Sequence, residues 1–184
     1  MRFFLGALLV LLAGIGLDVQ AEESPPLRMV QTIPLPNVEG RIDHLTVDLK
    51  GQRLFIAALG NNTVEVVDLR AGERSQSIGG LNEPQGIGFV PEFNKLFVAN
   101  AKSGACDVFV GSSLKRMKTI KFSDDADNIR HDVATGRVYV GYGDGALGII
   151  DASTVDRITE IKLKGHPESF QLEKSGPRIF VNIP

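Results

Sequence analysis

Polar side chains that could hold a cation or transfer a proton recur at one spacing along the chain. Four dipeptides lie 42, 42 and 41 residues apart, namely Asp43-His44, Gln85-Gly86, Asp127-Asn128 and Glu168-Ser169. Carboxylates, amides and imidazoles bind hard cations through oxygen, hydrogen-bond polar ligands and act as acids or bases. A fold that superposes these four positions would bring them together in one polar site.

Three further charged or titratable side chains lie close to these dipeptides in the sequence. Arg41 precedes the first, Arg130 follows the third, and His166 comes two residues before Glu168. The pattern leaves three interpretations open: a hard cation such as calcium, a small polar ligand, or a solvated patch that binds nothing. The residues expected to carry any binding are Asp43, His44, Asp127, Asn128 and Glu168.

A second repeat identifies the elements that must position these residues. Four segments begin with a cation and continue into aromatic and β-branched residues: RLFIAALG from Arg53, KLFVANAK from Lys95, RVYVGYGD from Arg137 and RIFVNIP from Arg178. Their first residues are again 42, 42 and 41 positions apart. A period of this size indicates one supersecondary unit per repeat, stacked so that neighbouring units bury each other.

Each repeat is predicted to form four antiparallel strands, here named A to D. Strand A ends shortly before the cation, strand B begins at it, a turn rich in Gly and Asn leads to an apolar strand C, and a more polar strand D follows. Four strands at this period predict an all-β protein, a β-propeller of four-stranded blades. Strand A of each blade would line the central channel, which places the four dipeptides at the channel mouth.

The two ends of the repeat region bear on whether the propeller closes. The fourth repeat has only strands A and B, while RMVQTIPL, Arg28 to Leu35, resembles strand D and is predicted to close a blade. Two interpretations stay open: part of a longer propeller that is incomplete at Pro184, or a small four-bladed ring closed by this strand. We favour the longer propeller, because the small ring would leave a gap in one sheet.

Several other motifs are interpreted as structural. Residues 143–148, GDGALG, match G-x-G-x-x-G, but a strand follows where a dinucleotide site requires a helix. Asp68 and Asp151 end C strands and are expected to accept backbone N–H groups in turns, with Gly111 assigned to the same position of the second repeat. Cys106 is the only cysteine, which excludes an internal disulfide and favours a small buried side chain.

The charge and the N-terminus predict location and partners. A net charge of −2 gives no electrostatic basis for binding nucleic acid. Residues 1–21 contain Arg2, a 15-residue apolar run and small residues ending at Ala21, which is typical of a secretory signal peptide; an uncleaved anchor is the alternative. Cleavage would leave residues 22–184, exported to the periplasm or outside the cell, with no further membrane span.

The second and third repeats are similar to a known repeat. LFVANAKSGACDVFV and VYVGYGDGALGIID resemble the YVTN-type repeat of YncE-like β-propeller proteins of bacteria and archaea. The resemblance covers Arg28 to Pro184 and implies an exported, seven-bladed propeller, of which this chain would supply about half. It does not fix the chemistry, because this superfamily includes binding proteins, enzymes and redox modules.

Two functions of different classes follow from these observations. The first is an exported, non-catalytic scaffold that binds a small polar ligand or a protein partner at the channel mouth. The alternative is a metal-dependent, lactonase-like hydrolase, in which a cation would polarise a carbonyl and a carboxylate would activate water. The sequence contains no G-x-S-x-G, H-E-x-x-H or P-loop motif, which favours the scaffold.

Overall fold

Four antiparallel sheets follow one another along the chain in the computed structural model, which describes residues 27–184. The first three sheets have four strands each, hydrogen-bonded in sequence order, and the fourth has two. The predicted signal peptide, residues 1–21, and the predicted new N-terminus at Glu22 lie outside the described residues.

The strands coincide with the A to D strands predicted from the repeats. The first sheet contains β1 (Leu45–Asp48), β2 (Arg53–Ala58), β3 (Thr63–Asp68) and β4 (Glu73–Ile78). The second contains β5 (Pro84–Val90), β6 (Lys95–Asn100), β7 (Ala105–Val110) and β8 (Arg116–Lys121). The third contains β9 (Ala126–Asp132), β10 (Arg137–Tyr142), β11 (Ala146–Asp151) and β12 (Arg157–Lys162), and the fourth contains β13 (Ser169–Leu172) and β14 (Ile179–Asn182).

Helix is almost absent from this part of the chain. Two single-turn 3-10 helices, Leu59–Asn61 and Pro91–Phe93, lie in connections between strands. No helix among the described residues is long and apolar enough to cross a membrane. The predicted all-β architecture of four-stranded blades is therefore confirmed.

The inner strands are buried because both of their faces pack against neighbouring sheets. Successive residues of a strand point to opposite faces, and Leu96 packs into the core shared with the first sheet while Phe97 packs into the core shared with the third. In β10, Val138 likewise packs into the core shared with the second sheet, and Tyr139 packs into the core shared with the fourth. Each such fully buried apolar side chain contributes roughly 1.5–3 kcal/mol relative to exposure.

A cation at the start of strand B joins each of the first two blades to the next one. Arg53 donates a hydrogen bond from Nη1 to the carbonyl of Gly111 at 2.7 Å, and it also pairs with Asp48. Lys95 donates from Nζ to the carbonyl of Ala152 at 2.9 Å. These contacts explain the cation at this position in the first two blades.

The strand register corrects the assignment made for the second blade. Arg53 pairs with Asp68 and Arg137 with Asp151, whereas Lys95 pairs with Val110, so Val110 rather than Gly111 occupies the aspartate position. Gly111 lies one residue later, where a Cβ atom would come within 2.6 Å of the Phe89 ring. The glycine is required there by close packing between a turn and a ring.

The segment Arg28–Leu35, predicted to be a rim strand, has no regular secondary structure in the described chain. A strand D pairs with strand C of its own blade, and the fourth sheet contains only β13 and β14 among the described residues. The described residues therefore form fourteen strands rather than the fifteen that the repeats and this segment together predict.

Candidate functional site

The four predicted dipeptides occupy equivalent places at the start of the A strands. Asp43 and His44 precede β1, and two backbone hydrogen bonds hold them to β2, from Asp43 N to Ala57 O and from Ala57 N to His44 O, both 2.9 Å long. The second and third dipeptides lie within β5 and β9, and the fourth lies across the start of β13, with Ser169 as the first residue of that strand. The repeat thus places one dipeptide of each blade at or near the start of its strand A.

Direct contacts join these positions from one blade to the next. The Arg41 guanidinium donates a hydrogen bond to Oε1 of Gln85 at 3.1 Å, which links the first blade to the second. The side-chain nitrogen of Asn128 donates to the backbone carbonyl of Glu168 at 2.8 Å, which links the third blade to the fourth. These contacts bring the start of strand A of one blade beside that of the next blade.

The contact between the second and third blades depends on Gly86. A Cβ atom at this position would lie 1.8 Å from the carbonyl oxygen of Asp127, a distance that no side chain can tolerate. Blades one and three carry His44 and Asn128 at the equivalent position, so the missing side chain is specific to this blade. The absent side chain lets the backbone of the second blade lie directly against Asp127.

Asp127 is the most perturbed acid of the cluster. Its exposed fraction is 7%, and burial raises the pKa of its carboxyl from 3.8 to about 6. The negative charges of Asp43 and Asp125 act in the same direction, while the His44 and His166 rings act against them. Charged groups from the first blade and from the loops around the third therefore converge on this carboxylate.

Asn128 is oriented by its two hydrogen bonds. Its nitrogen donates to the Glu168 carbonyl and also to Oδ2 of Asp127 at 3.2 Å, so Nδ2 must face these two acceptors. Within residues 27–184, Oδ1 of Asn128 and Oδ1 of Asp127 are both buried without a hydrogen-bond partner. Buried polar atoms are nearly always paired in native proteins, so two unpaired acceptors on adjacent residues point to a missing donor.

The first blade contributes an ion-pair group to the same site. Arg41 pairs with one oxygen of Asp43, and Nδ1 of His44 lies 2.7 Å from the other. The His44 contact is close enough for an ion pair but is not in hydrogen-bond geometry. Because Arg41 already contacts Asp43 and Gln85, it does not neutralise Asp127 directly.

The fourth blade contributes differently from the sequence expectation. The side chain of Glu168 is exposed, and the atom that contacts the site is its backbone carbonyl. Nδ1 of His166 lies 2.8 Å from the carbonyl of Gly143 and 3.8 Å from Asp125. Asp125 was not among the predicted site residues, and only its position two residues before Asp127 could have indicated a role.

The structure offers limited support for a metal ion at this site. Among residues 27–184, no group of three or more His, Cys, Asp and Glu side chains is arranged so that it could hold one. Calcium is typically bound by six to eight oxygen ligands. The unpaired oxygens of Asp127 and Asn128 could supply two of them.

The remaining motifs have the structural roles predicted for them. Asp68 accepts backbone hydrogen bonds from Arg70 and Ala71, and Asp151 accepts them from Ser153 and Thr154. Of residues 143–148, the first three form the turn between β10 and β11, with Gly143 at a φ of +57°, and the last three begin β11. Cys106 is fully buried, which raises the pKa of its thiol.

Comparison with solved structures supports the propeller fold. Hydrazine synthase of Kuenenia stuttgartiensis superposes with a TM-score of 0.70 at 22% identity, over 76% of this chain and 41% of that one. The WD40 repeats of RRP9 (TM-score 0.64) and U3-55K (0.65) are each 12% identical over 72% of this chain, and over 43% and 44% of theirs. The chain thus spans less than half the length of these structures, and the likeness shows the fold alone.

Comparisons by sequence add no family. No family model matches the chain. No curated protein matches it either.

Proposed function

We propose that the protein is an exported β-propeller scaffold of the YVTN-repeat type that binds a small polar ligand at the channel mouth without chemical turnover. The observation that carries this proposal is the pair of buried, unpaired acceptors, Oδ1 of Asp127 and Oδ1 of Asn128. Leaving a buried polar group unpaired costs about 1–3 kcal/mol. A ligand that supplies the missing hydrogen bonds recovers that free energy on binding.

Binding is favoured over the lactonase-like alternative by the arrangement of the ligating groups. A metal-dependent hydrolase needs a cation held by several protein ligands next to a base. Asp127 could serve as a base, since its pKa of about 6 lies near neutrality. The described residues contribute no preformed group of metal ligands beside it, so the site resembles a binding site more closely than a hydrolytic centre.

The binding proposal is tested by thermal melting of the purified protein with a panel of small polar compounds, comprising amines, amino acids, sugars and carboxylates. We expect at least one compound to raise the melting temperature in a saturable way, because a ligand that binds the native state stabilises it by mass action. The shift should be lost in Asp127→Asn and kept in Glu73→Gln, which removes an exposed acid at the rim of the first blade. A panel without any saturable, Asp127-dependent shift would overturn the proposal.

Export is part of the proposal and has its own test. The charged, apolar and small-residue regions of residues 1–21 support a cleaved signal peptide. N-terminal sequencing of the protein recovered outside the cytoplasm should begin at Glu22. An intact Met1 on membrane-bound protein would contradict cleavage and favour the uncleaved anchor.

A further inference from the structure

We infer that the ligand of the channel mouth presents a primary ammonium group to Asp127 and Asn128. This inference rests on the proposed function and adds the chemical class of the ligand.

Both unpaired side-chain oxygens are hydrogen-bond acceptors with a fixed orientation. The Asn128 amide cannot exchange its oxygen and nitrogen positions, because Nδ2 faces two acceptors, the Glu168 carbonyl and Oδ2 of Asp127. The opposite atom, Oδ1, must then remain an acceptor. A carboxylate offers acceptors alone, so Oδ1 of Asp127 also requires a donor. The ligand group that completes this pair must therefore carry at least two hydrogens.

The formal charge near these oxygens favours a cationic donor over a neutral one. Asp43, Asp125 and Asp127 contribute negative charge at the site, the His44 and His166 rings act against it, and Arg41 is engaged by Asp43 and Gln85. The Arg130 guanidinium hydrogen-bonds to Gln171 and to the carbonyl of Ile129, and it lies over the Phe170 ring. Neither arginine therefore contacts the free oxygen of Asp127, and a cation would offset its buried charge.

A primary ammonium fits this requirement better than a metal ion. It carries a single positive charge and three N–H donors, which can bond the two unpaired oxygens and leave one hydrogen for solvent or for another acceptor. Calcium typically needs six to eight oxygens, and the described residues contain no group of three or more His, Cys, Asp and Glu side chains arranged so that it could hold a metal ion. Charge-assisted hydrogen bonds of this kind are roughly twice as strong as neutral ones.

The inference is tested by NMR titration of the purified protein at pH 8, above the pKa of Asp127. The probes are methylammonium chloride, sodium acetate and calcium chloride, each added at constant ionic strength. We expect saturable shifts with methylammonium that weaken at least tenfold in Asp127→Asn, because that substitution replaces an acceptor by a donor and removes the charge. Glu73→Gln serves as the control and should bind methylammonium like the unmutated protein.

Three other results would contradict the inference. The preference of the unmutated protein among the three probes tests it even if Asp127→Asn fails to fold. Saturable binding of acetate or calcium in preference to methylammonium would overturn the ammonium class while leaving a polar ligand site in place. Methylammonium binding that is equal in Asp127→Asn and Glu73→Gln would place the cation elsewhere. No saturable binding by methylammonium would overturn the inference, and the wider panel of compounds would decide the proposed function separately.

Discussion

The Asn128 side-chain nitrogen lies 2.8 Å from the carbonyl oxygen of Glu168, and this hydrogen bond connects the third blade to the fourth. The same nitrogen donates to Asp127, so a single amide joins two blades and fixes the direction of a buried carboxylate. Because Asn128 is only 1% exposed, water cannot replace these bonds if the amide is removed.

Replacing Asn128 by Asp should destabilise the protein strongly. A carboxylate at this position would face the Glu168 carbonyl and the Asp127 carboxylate, which are both acceptors. We expect a loss of about 2–4 kcal/mol in the free energy of unfolding, the range for breaking a buried hydrogen-bonded group and leaving a buried charge unpaired. Urea denaturation measures it. Asn182→Asp, at an exposed position of β14, is the control and should change stability by less than about 0.5 kcal/mol; equal losses in the two variants would contradict the structural role.

Replacing Asp127 by Asn should stabilise the protein at neutral pH. The folded-state pKa of about 6 lies above the ordinary value of 3.8, so the native state binds the proton more tightly and stability falls as the pH rises between these values. At pH 7.5 the charged form therefore costs about 2 kcal/mol, since one pKa unit corresponds to about 1.4 kcal/mol and part of the shift is relieved by relaxation.

The pH dependence separates this effect from a general gain in packing. The difference between Asp127→Asn and the unmutated protein should be large at pH 7.5 and should become small near pH 3.5, where the carboxyl is protonated in the folded state and mostly protonated in the unfolded state. Urea denaturation across this range provides the measurement. A difference that does not change with pH would show that Asp127 carries no raised pKa.

Replacing Gly86 by Ala should be among the most damaging single changes in the chain. The new Cβ would come 1.8 Å from the backbone carbonyl of Asp127, and neither backbone can move without disturbing its sheet. Overpacking of this kind typically costs 1–3 kcal/mol or more, and ligand binding should fail together with stability. Gly79→Ala is a matched control, since no atom lies within 4 Å of its added Cβ; a folded, ligand-binding Gly86→Ala protein would contradict the close approach of the two blades.

Calcium should have little effect on melting under the binding proposal. The double variant Asp43→Asn, Asp127→Asn removes two acids of the site, and the unmutated protein and the variant should each melt at the same temperature with millimolar calcium as with a chelator. Scanning calorimetry is the appropriate measurement. A calcium-dependent rise in melting temperature that disappears in the double variant would instead support the metal-dependent, lactonase-like alternative.

The repeat spacing predicted the strands well, for a physical reason. Each blade must bury the blade before it and the blade after it, so apolar and cationic positions recur wherever the packing recurs. Arg53 and Lys95 illustrate this, because both reach carbonyls that follow strand C of the next blade. The one-residue error at Gly111 arose because its role depends on the Phe89 ring, which lies in a different strand of the same blade.

An ion pair that recurs in each blade can take its acid from a different strand, so a sequence comparison of the blades does not reveal it. Glu65 and Asp107 lie in strand C and pair with Arg74 and Arg116 of strand D. In the third blade the equivalent C-strand residue is Gly148, where a Cβ would lie 2.3 Å from the Phe122 ring, and Arg157 pairs instead with Glu160 of its own strand.

The candidate site was predictable in position but not in detail. The spacing placed Asp43, Asp127 and Asn128 together, as the structure shows. It could not show that Glu168 contributes its backbone carbonyl, because a side-chain pattern carries no information about main-chain acceptors. It also could not show the burial of Asp127, which depends on the absence of a side chain at Gly86 in another blade.

The most direct test of ammonium binding at Asp127 is the pKa of its carboxyl, measured by carbon-detected NMR with and without saturating methylammonium. We expect a pKa of about 6 in the free protein, from burial beside Asp43 and Asp125. The pKa should be lower in the bound protein, because a nearby cation favours the charged form. A free-protein pKa near 4, or a value that methylammonium leaves unchanged, would contradict the proposal that Asp127 is a buried acceptor that binds a cationic donor.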